Sequence, residues 1–220
     1  MNKIFGVIIK MALGFFLCAS GTVLALNSHL GLSPWDVFHQ GLTNVTGITI
    51  GQASIIVGIV VVIITSIIGL KVGLGTIANM IVIGCFIDLI IYSKIIPVSS
   101  NLFTGILMMI GSLLVTAIGS YLYIGCEMGC GPRDGLMIAL MKITGKPVSI
   151  IRFCIEMSAL IIGWMLGGFV GIGTLVTAFG IGYCVQIVYK IFDFDVNSLK
   201  HRNLKQGFIF IGQCITNKTF

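Results

Sequence analysis

The chain has 220 residues, of which 57% are hydrophobic and only 9% charged, with a mean hydropathy of +1.11. A soluble domain carries about 25% charged residues, so this composition excludes an ordinary water-soluble fold and makes lipid the natural solvent for most side chains. The net charge of +6 does not point to nucleic acid, because the cations sit at the ends of apolar runs and form no basic face with interleaved aromatics.

In chain order, the first apolar run covers residues 4–26 behind Lys3. It exceeds the roughly 7–15 apolar residues of a signal peptide, so it is expected to remain as a span. Ser33-Pro34-Trp35-Asp36 then has the grammar of a helix start: a capping serine, proline in the first turn and a carboxylate three residues after the cap. It predicts a short helix over about 34–44, with Gly47 as its stop. A long helix follows over about 50–69, then a glycine turn and another over about 76–92. The series recurs with a long helix (103–124), a short one (132–143) that Gly145 ends, and two more long ones (148–167 and 174–190). Beyond Lys190 a basic tail is expected, and its apolar stretch 207–215 is too short to span.

The recurrence is a duplication. Gly31-x-Ser33-Pro34-x-Asp36 returns as Gly129-x-Gly131-Pro132-x-Asp134, 98 residues later. The same offset pairs Gly21 with Gly119, Thr46-Gly47 with Thr144-Gly145, Gly69 with Gly167, and Gly73-x-Gly75-Thr76 with Gly171-x-Gly173-Thr174. Glycine, proline, aspartate and threonine in a single register are hard to obtain by chance in so apolar a chain. The expected divisions are residues 1–98, residues 99–192 and a short tail, 193–220.

With the N-terminus in the cytoplasm, Lys94 is the sole cation outside; Lys3, Lys10, Lys71, Arg133, Lys142, Lys146, Arg152, Lys190 and the tail cations fall inside. That asymmetry predicts six spans with both termini cytoplasmic. Three spans per copy place the second copy upside down, a plan used by transporters. The expected fold is therefore an all-α membrane protein of about six transmembrane helices in two inverted three-helix repeats. Each repeat adds a short Pro-x-Asp helix of about ten residues, roughly 15 Å long, which either enters the membrane halfway or lies at its interface.

The polar residues in apolar surroundings are the candidate site: Asp36, Asp134, Glu156, Arg133, His39 and Gln186. For Asp36 and Asp134 the plainer reading is helix capping, and the sharper one is binding of a solute, cation or proton. Glu156 lies four residues after Arg152, so the two share a helix face and either form a structural pair or serve a transport site. Asp88, the counterpart of Gln186, is close enough to a helix end for solvation to explain it. His29 and His39 lack the further ligands of a metal site. Cys126 and Cys130 lack a second pair or a nearby histidine, and most of the seven cysteines lie in apolar runs as small hydrophobes. No cofactor or metal is expected. Gly69-x-x-x-Gly73, Gly163-x-x-x-Gly167 and Gly167-x-x-x-Gly171 fit close packing of membrane helices.

Gly-Leu-Ser-Pro-Trp-Asp at 31–36, its Gly-Pro-Arg-Asp-Gly echo at 131–135 and the Gly-x-Gly-Thr turns resemble the YczE/YyaS/YitT bacterial membrane proteins, most of all the YczE branch. The resemblance covers most of residues 1–190 and implies a multi-pass protein of the bacterial plasma membrane. It brings little mechanism, and the tail here is shorter than the soluble C-terminal domain common in the YitT branch. The function expected is transport of a small solute or ion. The alternative is a non-transporting component that assists another membrane complex, and an enzyme is not expected. The lipid bilayer is the one firm partner; a solute or ion and self-association are open.

Overall fold

A computed structural model describes residues 2–194, 202, 204–207 and 209. Among these the chain is helical, in the order α1 (Asn2–Ser28), α2 (Pro34–Thr46), α3 (Ile50–Ile67), α4 (Leu74–Ser93), α5 (Leu102–Ile124), α6 (Pro132–Thr144), α7 (Val148–Met165) and α8 (Ile172–Ile191). All but α2 and α6 are long and apolar enough to cross a membrane, which gives six candidate spans. The apolar stretch expected at 207–215 lies mostly outside the described residues.

The two short helices begin and end as their sequences dictate. The Ser33 hydroxyl accepts from the Asp36 amide, Pro34 occupies the first turn, and Gly47 closes α2 at φ 76°. Pro132 and Gly145 (φ 66°) do the same for α6. At 13 residues each the helices are about 20 Å long, three residues more than the ten-residue estimate. Nor does α2 lie on a surface. Pro34, Trp35, Asp36, Val37, His39 and Gly41 are buried against α7 and α3.

Helices pack through small residues, as expected where lipid offers no contrast in hydrophobicity and backbone proximity supplies the contact. A Cβ on Gly14 would lie 2.8 Å from the Gly119 carbonyl oxygen, and one on Gly21 would lie 3.0 Å from that of Ser112. At the 98-residue offset these are one contact made twice, across α1 and α5. On α7, Gly163 presses on the α2 backbone, where a Cβ would come within 2.5 Å of Phe38 N and Cα. The Gly-x-x-x-Gly expectation needs one correction. Gly69 and Gly167 are turn residues with positive φ, and no backbone approaches them within 4 Å; their role is the turn and not helix packing.

The loops dock reciprocally. Gly173 N–H donates to the Leu30 carbonyl at 2.7 Å, and Gly75 N–H donates to the Met128 carbonyl at 2.7 Å. Thr174 Oγ1 accepts from Leu32 N–H, and Thr76 Oγ1 donates to the Cys130 carbonyl. The loop before α2 thus seats on the start of α8, and the loop before α6 seats on the start of α4. The likeness is incomplete, most of all between the last two long helices of each half. α3 packs on α4, whereas α7 and α8 are not closely packed. At the α3–α4 contact Asp88 accepts from Thr49 Oγ1 and from Gly51 N–H at 2.8 Å. Its counterpart is Gln186, and Ser149 replaces Gly51, so α7–α8 lacks this clamp.

Candidate functional site

The N-terminal turns of α2 and α6 meet in the interior. Arg133, in the first turn of α6, has Nη2 3.9 Å from Asp36 Oδ1 and its guanidinium carbon 4.9 Å from the centre of the Trp35 ring. That distance to an indole suits a cation–π contact. The Asp36 carboxylate also accepts from the Ser33 hydroxyl. Proline at the first turn and aspartate at the third residue of each helix therefore do more than start two helices: they deliver two positive dipole ends and two carboxylates to one region.

That region borders a cavity of about 590 Å³. Asp36, Asp134, Glu156, Arg133 and His39 all line it, from three different helices. Its walls carry the duplication: Asp36 and Asp134, Trp35 and Arg133, His39 and Met137, Ser54 and Arg152, Gly58 and Glu156, and Thr22 and Ser120 all face it in 98-residue pairs. In these pairs the second half supplies most of the charge, and the first supplies the aromatic ring and the imidazole.

His39 sits one turn beyond Asp36, with Nδ1 3.6 Å from Asp36 Oδ1. That is longer than a hydrogen bond, and Nδ1 is buried with no hydrogen-bond partner. Burial pushes the imidazole pKa below its usual value against the pull of Asp36. At Asp36 burial works upward, but the imidazole, the Arg133 charge and the Ser33 hydroxyl outweigh it and hold the carboxyl below its usual range.

On α7, Arg152 Nε donates to Glu156 Oε1 at 3.3 Å, and both residues line the cavity. The Arg152–Glu156 pair is thus formed, and it borders the cavity. Gln186 is not among the cavity residues; it is exposed on α8. Asp88 caps α3, and His29 is exposed in the loop after α1. Among the described residues no three His, Cys, Asp or Glu converge at metal-binding distance. Trp35, Tyr123, Tyr189, Ser120 and Asn79 line the cavity but escaped the sequence reading. Pairs such as Thr22 with Ser120 and Asn79 with Thr177, polar at equal positions in two spans, are the signal that could have found some of them.

The family described as DUF6198, a family of unknown function, matches residues 6–190. An uncharacterised protein of Haemophilus influenzae is 35% identical over 171 residues, 78% of either chain. The uncharacterised membrane protein YczE of Bacillus subtilis is 35% identical over 167 residues, 75% of this chain and 77% of its own. The uncharacterised protein YyaS of the same organism is 27% identical over 168 residues, 75% and 83% of the two chains. No solved structure matches. Six apolar spans, the paired Pro-x-Asp helices and these relatives have one conclusion: the chain belongs to the DUF6198 family of YczE-like membrane proteins.

Proposed function

We propose that the chain carries a small solute or ion across the cell membrane by alternating access around the central cavity. In this reading the two halves are inverted copies, both termini are cytoplasmic, and no enzymatic step is involved. α2 enters from outside, α6 enters from the cytoplasm, and their N-termini meet near the middle of the bilayer. Rocking one half against the other would expose the cavity to each face in turn.

One observation carries the reading: Asp36, Asp134 and Glu156 line a single cavity together with the first turns of both short helices. Ionisable groups at membrane depth are costly and persist where a pathway uses them. Helix ends aimed into an interior cavity supply fixed partial charge for a passing solute.

The test is flux. The full chain, reconstituted in liposomes under an imposed proton or sodium gradient, is screened with panels of small anions, cations and neutral solutes. Saturable, gradient-dependent uptake that Asp36→Asn removes without loss of protein is expected. Absence of uptake across every panel, together with co-purification of another membrane complex at fixed ratio, would replace this reading with that of a non-transporting partner.

A further inference from the structure

We infer that the central cavity selects a small amphipathic organic anion, with its charged group held by Arg133 at the N-termini of α2 and α6 and its apolar body against Trp35 and Met137. As a statement about substrate it rests on the transport reading; as a statement about binding it stands alone.

The three carboxylates suggest a cation at first sight, but each is already engaged. Asp36 takes the Ser33 hydroxyl, Glu156 takes Arg152, and Asp134 has a partner within the protein. The guanidiniums are the accessible partners. The Arg133 side chain is 45% exposed against 11% for Asp36, and that of Arg152 is 57% exposed against 27% for Glu156. At 3.9 Å from Asp36 the Arg133 head is beyond hydrogen-bond range. Its planar fork of donors is the geometry that takes a carboxylate in two parallel bonds.

His39 adds a polar atom open to a ligand of either donor or acceptor type. Its Nδ1 is buried without a hydrogen-bond partner on the cavity wall. A polar atom of a ligand seated beside Asp36 would give His39 Nδ1 the hydrogen bond it lacks. Size and lining extend the assignment beyond an inorganic ion. A cavity of about 590 Å³ falls within the usual range for small organic ligands, and Val57, Met80, Met137 and Ile155 line it beside the charged groups.

Trp35 and Trp164 are the two tryptophans of the chain, so Trp164→Phe leaves Trp35 as the sole indole reporter. The full-length Trp164→Phe protein in lipid nanodiscs is titrated with hexanoate and with hexylamine, in the absence of any gradient. Hexanoate is expected to change Trp35 emission saturably, and hexylamine is not. Arg133→Gln should weaken hexanoate binding at least tenfold. Arg133→Lys, which keeps the charge and loses the fork, should weaken it less and controls for folding. Tighter binding of hexylamine, hexanoate binding indifferent to Arg133→Gln, or no saturation with either would overturn the inference. Hexanoate binding with no flux of any solute would overturn the transport reading alone. Flux of a cation with no hexanoate binding would overturn this inference alone.

Discussion

Asp36 and Asp88 are both buried or half-buried carboxylates near a helix start, yet their surroundings give them different work. Asp88 holds the Thr49 hydroxyl and the Gly51 amide across two helices, so it is a structural clamp. Asp36 stands beside Arg133 and His39 on a cavity wall. Asp88→Asn should therefore lower stability by about 1–2 kcal/mol, seen as a reduced melting temperature in detergent, and leave solute uptake per folded molecule near the parent value. Asp36→Asn should do the reverse, removing uptake at least tenfold with a smaller change in melting. Equal effects of the two substitutions on uptake would deny Asp36 its special place. Asp36 and Asp134 could be found in the sequence because capping grammar is local: proline and aspartate within three residues announce a helix start. The roles of Trp35 and Asp88 could not be read in this way. Trp35 meets Arg133 from 98 residues away, and Asp88 meets Thr49 from 39. Gln186 is the counterpart of Asp88 in the sequence, and the equivalence fails because the α7–α8 contact is not built like α3–α4.

Among the elements, the short helices depend on glycines that let backbones touch. Gly163→Ala forces a methyl group to within 2.5 Å of the α2 backbone at Phe38, where no side chain can swing aside. It should destabilise by about 1–3 kcal/mol. Gly111→Ala, on α5 with nothing within 4 Å, is the matched control and should be neutral or slightly stabilising. A thermal-unfolding comparison in one detergent decides between them. The loop joints allow a sharper comparison. Gly31 and Gly129 have φ of 130° and 133°, and a Cβ on either would lie 2.7 Å from the facing threonine, Thr174 or Thr76. Gly31→Ala and Gly129→Ala should each cost about 2 kcal/mol or more from backbone strain and contact together, and by similar amounts. A large difference between them would mean that the two joints are not equivalent. The helix count, the short helices and their ends were legible because proline, glycine and hydrophobic length act locally. Burial of α2 was not, since His39 and Gln40 read as an amphipathic face. Their surroundings, Asp36 close to His39 and the Phe169 amide that donates to Gln40, appear only when the chain folds.

Across the whole molecule, duplication and asymmetry act together. The reciprocal hydrogen bonds Gly173–Leu30 and Gly75–Met128 tie each half to the other through the same joint. The Asp88 clamp secures α3 to α4 and has no counterpart between α7 and α8. Similar halves in unlike arrangements are what the proposed alternating exposure of one cavity would use. The account stands on α2 and α6 entering from opposite sides of the membrane, and one measurement reaches that directly. Val45 and Ile143, a 98-residue pair near the ends of the two short helices, are exposed at 65% and 63%. With the seven native cysteines replaced, Val45→Cys and Ile143→Cys are treated in intact cells with a membrane-impermeant maleimide. The account predicts labelling at position 45 in intact cells and at position 143 only after permeabilisation; labelling of both positions from the same side would contradict it.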